Sequence, residues 1–137
     1  TVNPESPGNA AALPVLPREA ARTTAVFPGL SGARGDASEA FRVNAGAFNP
    51  HDGPAELFFG LYDGDGTELG TFTRTLGPGG WLQVNDVFRE IGGDATGTEG
   101  SVLAFSSNLP VFPFVIAVDD RSGDGTFVAP RDVPLLP

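Results

Sequence analysis

Apolar residues occur along the chain in short runs that are separated by clusters of Gly, Pro, Asn and Asp. From about residue 22 this pattern is typical of an all-β sandwich or barrel, in which short strands alternate with tight turns. An Asp-Gly turn predicts a hairpin that closes from Asp63 to Thr67. The pattern predicts seven strands: Arg22–Phe27, Glu39–Phe48, Ala55–Tyr62, Leu69–Leu76, Ser101–Ser107, Val111–Asp119 and Thr126–Ala129.

One segment departs from the strand pattern and predicts a short helix. Residues 85 to 92 combine a capping residue, apolar positions at helical spacing and a glycine stop. We expect this helix to cross one end of the sandwich.

Two of the predicted strands carry apolar side chains on both faces, whereas the outer face of a two-layer sandwich normally meets water and is polar. Something must therefore cover their outer faces, and the candidates are the N-terminal segment, the short helix or another subunit. The large side chains on these faces are Phe58, Tyr62, Phe112 and Phe114.

The first 18 residues predict an extended arm, because Pro4, Pro7, Pro14 and Pro17 block a helix and remove donors for a central strand. Residues 10–16 of this arm are apolar, which is unusual for a solvated tail and indicates that the arm docks in a groove. The expected domain organisation is an arm over 1–18 and a β-sandwich over 19–137.

The turns and strand ends of the chain carry a family resemblance over about residues 20–130. Three groups of motifs form it: Phe41-Arg42-Val43-Asn44 with Phe48-Asn49-Pro50; Leu61-Tyr62-Asp63-Gly64-Asp65-Gly66-Thr67 with Leu76-Gly77-Pro78-Gly79-Gly80 and Gln83-Val84-Asn85-Asp86-Val87-Phe88; and Val118-Asp119-Asp120-Arg121-Ser122-Gly123-Asp124-Gly125-Thr126-Phe127-Val128-Ala129-Pro130. The chain resembles the Ig-like β-sandwich modules of secreted and cell-surface proteins from bacteria with GC-rich genomes. The resemblance implies an extracellular accessory or structural role without catalytic residues, and Val111-Phe112-Pro113-Phe114 is more aromatic than that pattern.

Composition excludes several classes of function. The net charge of −9, with no Lys, argues against nucleic acid and anionic membranes as partners. The absence of Cys and Met from the sequence excludes disulfides, thiolate metal sites and thiol nucleophiles. No apolar run approaches the roughly 20 residues of a membrane span. The acidic, Cys-free sequence that begins at Thr1 predicts an exported protein from which a signal peptide was removed.

Acidic residues in two loops raise the question of a metal site. Asp63, Asp65 and Glu68 could offer oxygen ligands to calcium, but position 74, where an EF-hand loop places Glu, is Arg, and a plain turn is the favoured interpretation. Asp119, Asp120 and Asp124 around Arg121 predict a strand-end turn held by hydrogen bonds and an ion pair. We therefore expect no metal and no cofactor.

Other motifs give little support to catalysis or ligand binding. His51, the only histidine, lies in a turn that is expected to hold nothing rigidly, and no nucleophile motif accompanies it. Arg34-Gly35-Asp36 matches an adhesion tripeptide that arises often by chance. Trp81 and Tyr62 could stack on a sugar, but with one Trp and one Tyr the sequence favours a core or interface role for Trp81.

The leading hypothesis is a non-enzymatic extracellular structural or adhesive subunit, such as a filament protomer, that self-associates through its arm and outer sheet faces. The alternatives are a carbohydrate- or protein-binding accessory module of a larger secreted protein, and a subunit of a multi-protein envelope complex. The predicted interface residues are Leu13, Val15, Leu16, Phe58, Tyr62, Phe112 and Phe114.

Overall fold

The computed structural model describes residues 21–31, 41–92, 100–119 and 122–132. Within these ranges the chain forms seven strands, all paired antiparallel, and one short helix, which confirms the all-β class expected from the sequence. The elements are β1 (Arg22–Leu30), β2 (Phe41–Phe48), β3 (Ala55–Tyr62), β4 (Glu68–Leu76), β5 (Trp81–Val84), α1 (Val87–Ile91), β6 (Ser101–Asp119) and β7 (Gly125–Val128).

The 19-residue strand β6 organises the sheet. Its first half pairs with β1 and β3, and its second half pairs with β2 and β7. The sheet continues beyond β3 to β4 and beyond β2 to β5. We call the order β4-β3-β6-β1 half-sheet A and the order β5-β2-β6-β7 half-sheet B.

Both half-sheets face one hydrophobic core, to which β1 to β6 and α1 all contribute buried side chains. The ring centroid of Phe59 lies 4.8 Å from that of Phe72, which is partly buried at the margin of the core, and 5.2 Å from that of the buried Phe105. The expected division into two sheets is therefore replaced by one continuous seven-stranded sheet, which curves around its core in a barrel-like way.

The short helix α1 packs between β2 and β4. Asp86 caps its first turn by accepting a hydrogen bond from the backbone N–H of Arg89, and Gly92 ends it at a positive φ of 75°. Val87 and Phe88 are fully buried in the core. The helix prediction is confirmed, although α1 adds to the core instead of covering an outer apolar face.

Five of the predicted strands match observed strands closely, and Ala55–Tyr62 matches at both ends. The predictions Ser101–Ser107 and Val111–Asp119 are two parts of the single strand β6, and β5 was not predicted. The proposed arm over 1–18 lies outside the described residues.

Candidate functional site

Three aromatic side chains lie side by side across half-sheet B. Phe48 on β2 pairs in register with Trp81 on β5 and with Phe112 on β6. Their chain neighbours Ala47, Leu82 and Val111 belong to or pack against the core, so the three aromatic residues point outward. We call Trp81, Phe48 and Phe112 the aromatic row.

The aromatic row is largely open to solvent. Trp81 is 62% exposed and Phe48 is 37% exposed, and Phe112 is half-buried. The rings of Phe48 and Phe112 stack with 6.2 Å between their centroids and an angle of 24° between their planes. In the described part of the chain, only Phe58 joins Phe48 and Trp81 as a large exposed hydrophobic residue. The core role considered for Trp81 is therefore wrong.

A buried asparagine fixes the loops from which the row emerges. The Asn49 side chain is fully buried, and its Nδ2 donates to the carbonyl oxygens of Gly53, Leu76 and Gly77 at 2.8, 3.2 and 3.1 Å. Its backbone N–H donates to the carbonyl oxygen of Gly80 at 2.8 Å. These bonds tie the loop after Phe48 to the turn before Trp81, so two members of the row have fixed backbone anchors.

His51 adds a third anchor beside the row. Its ring Nε2 lies 2.6 Å from the carbonyl oxygen of Pro110, to which the Nε2–H tautomer donates. Its backbone N–H donates to Asn49 Oδ1 at 3.0 Å, and its carbonyl accepts from Gly79 N at 3.1 Å. The expectation that this turn holds nothing rigidly is therefore wrong, because these bonds link the loop after β2 to the turn before β5 and to β6 next to Phe112.

Further along β6 from Phe112, the outer face of half-sheet B is also apolar, but its side chains are buried. Phe114, Ile116 and Val118 are buried there in a second cluster, against which Phe127 of β7 packs. Phe114 lies against β2 at Gly46, where a methyl group would come within 2.7 Å of its Cζ. Phe114, at 8% exposure, is thus buried by contacts within its own chain.

Half-sheet A presents a different outer face. Phe58 is 40% exposed, and its register partners there are Thr73 and Ser106. Tyr62 is half-buried, and its ring lies over Gly60. The predicted interface residues therefore separate onto two faces: Phe112 belongs to the aromatic row, whereas Phe58 stands apart among hydroxyl side chains.

The acidic loops have backbone roles. Asp63 Oδ1 accepts from the backbone N–H groups of Asp65 and Thr67 at 2.9 and 3.0 Å, and Asp63 N donates to Thr67 O at 2.9 Å. This is the hairpin that was predicted over these residues. At the other loop, Asp119 N donates to Asp124 O at 2.9 Å, while Asp120 and Arg121 lie outside the described residues.

No group of three or more His, Asp or Glu residues could hold a metal ion in the ranges that the structure describes. In the same ranges, no helix has the length and apolar character needed to cross a bilayer.

Sequence reasoning missed Phe48 and the strand β5. Phe48 ends a strand whose alternate residues are the core positions Val43, Ala45 and Ala47, so its parity already places it outside. The predicted interface residues Leu13, Val15 and Leu16 and the tripeptide Arg34-Gly35-Asp36 lie outside the described residues.

Comparison with known proteins yields similarity of fold only. No protein-family model and no curated protein matches the sequence. The crystal structure of Thermotoga maritima 1070 superimposes with a TM-score of 0.57 and 16% identity, over 72% of this chain and 82% of that one. The Anabaena sensory rhodopsin transducer superimposes with a TM-score of 0.51 and 16% identity, over 68% of this chain and 92% of that one. At such identities, these structures support the β fold of this chain and nothing about its activity.

Proposed function

We propose that this chain is a non-enzymatic, exported structural or adhesive subunit that assembles with further copies through the aromatic row. The observation that carries the proposal is the row itself: an exposed Trp beside two Phe, on three paired strands with hydrogen-bonded loops. Exposed aromatic residues on a rigid support are typical of the centres of protein interfaces.

Burial of the row would supply useful binding energy. A fully exposed Trp presents up to about 250 Å² of surface, so Trp81 at 62% exposure offers roughly 150 Å². At about 25 cal/mol per Å², covering this side chain stabilises a contact by about 4 kcal/mol before entropic costs are subtracted. Phe48 and Phe112 add to this, which makes the row an energetic centre for a larger contact.

The net charge of the chain limits the classes of partner that can bind this surface. A chain with a net charge of −9 repels acidic partners, including other copies of itself, so a contact between copies is favoured where it brings no further like charges together. The aromatic row contains no charged side chain. Export agrees with the acidic, Cys-free composition and with the resemblance to Ig-like modules of surface proteins, and a head-to-tail contact would propagate into a filament.

The first test compares substitutions on the two outer faces. In multi-angle light scattering and negative-stain electron microscopy of the full chain, the wild type should form oligomers or polymers. Trp81→Ser and Phe48→Ser should each weaken assembly at least about tenfold, equal to 1.4 kcal/mol. Phe58→Ser is the matched control, because Phe58 is as exposed as Phe48 but lies on half-sheet A. A wild type that stays monomeric at high concentration would contradict the proposal.

A glycan-binding module is the second candidate, and one observation favours it. The open face of Trp81 lies two residues from Gln83, whose side chain is on the same face and donates from Nε2 to Asn85 Oδ1 at 2.7 Å. An aromatic face beside amides fits the C–H face and hydroxyls of a neutral sugar. A monomeric wild type retained on neutral polysaccharide gels, with Trp81→Ser released, would favour this candidate over assembly.

A further inference from the structure

The proline-rich arm contains a repeated dipeptide, Leu13-Pro14 and Leu16-Pro17. Polyproline II has three residues per turn, so two Leu-Pro pairs three residues apart present the same face. Such segments bind aromatic surfaces at a low entropic cost, because proline already restricts them to the bound conformation. The arm therefore has the sequence of a ligand for a row of aromatic side chains.

The arm joins the described fold next to the aromatic row. Arg22, the first residue of β1, pairs with Val111, which directly precedes Phe112. An antiparallel pair is about 5 Å across, so Arg22 lies within about 9 Å of Phe112 along the backbone. The five residue steps from Arg22 back to Pro17 span up to about 17 Å when extended, which brings Pro17 within reach of the row.

The dimensions of the segment and the row agree. Three residues of polyproline II advance about 9 Å, which is the separation of Pro14 and Pro17 in that conformation. The row crosses two strand spacings from Phe112 to Trp81, a distance of about 10 Å. One turn of the arm thus matches the row from end to end. Residues 10–17 carry no charge, as the uncharged row requires.

We propose that the aromatic row binds the Leu13–Pro17 segment of this chain as a polyproline II helix, with one proline ring against Phe112 and the other against Trp81. This inference rests on the proposed role of the row as a contact surface. The same contact, made between copies, is the link of the proposed assembly. Within a single copy, attachment close to the site gives the segment a high effective concentration, which a foreign peptide lacks.

A second segment with two prolines, at the other end of the chain, could also occupy the aromatic row. Val133-Pro134-Leu135-Leu136-Pro137 has the same proline spacing. It follows Asp132, whose Oδ1 lies 3.3 Å from Nη1 of Arg22, so both segments leave the fold at one place. We assign the row to the N-terminal segment because each of its two prolines follows a leucine, whereas Pro134 follows a valine.

Trp81 is the only tryptophan, so its fluorescence reports directly on the row. In the full chain, Pro14→Ser with Pro17→Ser should increase acrylamide quenching of Trp81 at least about twofold and shift its emission to longer wavelength, because the covering segment is lost. Pro4→Ser with Pro7→Ser, the same change elsewhere in the arm, should leave both quantities at their wild-type values.

Two results would overturn the inference: quenching unchanged in the Pro14 and Pro17 double variant, or quenching raised only by Pro134→Ser with Pro137→Ser. Light scattering of the same samples tests assembly separately. A monomeric wild type with a shielded Trp81 contradicts assembly and supports the inference, since the segment then binds its own copy. If the Pro14 and Pro17 double variant still assembles and its Trp81 is still shielded from quenching, the inference about the segment is contradicted, whereas the proposed assembly through the aromatic row is not.

Discussion

Asn49 shows how one polar side chain positions a surface. It is fully buried, yet its amide group meets three backbone carbonyls and one backbone N–H, so the cost of burying it is offset. These partners belong to two loops that are distant in the sequence. The polar residue inside the fold therefore determines where the exposed aromatic residues of the row stand.

We expect Asn49→Ala to lower the free energy of unfolding by about 2–3 kcal/mol, because three carbonyl oxygens lose their donor in a site closed to water. Urea unfolding followed by circular dichroism measures this change. Asn85→Ala, at an exposed position, is the control and should change stability by less than about 0.5 kcal/mol. Equal effects of the two substitutions would show that Asn49 is not a structural hub.

At the scale of elements, β2 and β5 approach closely because β2 carries glycine at the contact. A methyl group at Gly46 would lie 2.0 Å from the carbonyl oxygen of Leu82 and 2.7 Å from Cζ of Phe114. Backbone on one side and a packed ring on the other leave no room for a side chain. Gly46 thus allows Phe114 to lie on β2 and keeps β5 in the sheet.

We therefore expect Gly46→Ala to destabilise the fold by about 3 kcal/mol or more, since the strands must separate to admit the methyl group. Gly53→Ala is the matched control, because nothing lies within 4 Å of a methyl group at that loop position. Thermal unfolding by circular dichroism compares the two variants. A Gly46→Ala protein as stable as the Gly53→Ala protein would refute the close approach.

The strands that sequence predicted well are those with long apolar runs bounded by strong turns, such as β3 between Pro54 and Asp63. β5 escaped prediction because four residues after a glycine pair give too little alternation to recognise. The sequence pattern predicts two strands in place of β6 because Asn108 and Pro110 resemble a turn. In the structure the strand continues through these residues from one half-sheet to the other. Local patterns contain no information on such long-range pairing.

The site was predictable only in part for the same reason. Phe112 was identified from its position on the face opposite the core. Its grouping with Phe48 and Trp81 depends on the register of β2 with two strands that are distant in sequence. Side-chain parity places a residue on a face, whereas the neighbours on that face follow only from topology.

At the scale of the whole molecule, charge opposes the assembly that the aromatic row favours. Copies with a net charge of −9 repel each other, and salt screens this repulsion within about 10 Å at 0.1 M. We expect assembly of the wild type to strengthen as sodium chloride rises from about 0.05 to 0.5 M, since apolar contacts are not weakened by screening. Light scattering across this series measures the effect, and dissociation at high salt would indicate a contact made by ion pairs instead.

The shared strand β6 also sets the order in which the chain can fold. During synthesis the β3–β4 hairpin can close early, but β1, β2 and β3 must wait for β6, which begins at residue 101. Until then the edges that β1, β2 and β3 present to β6 remain unpaired, and pairings between such distant segments form slowly. A nascent chain of this design cannot complete its sheet before most of its length has been synthesised, so we expect its first strands to reach their final pairing only once β6 has been made.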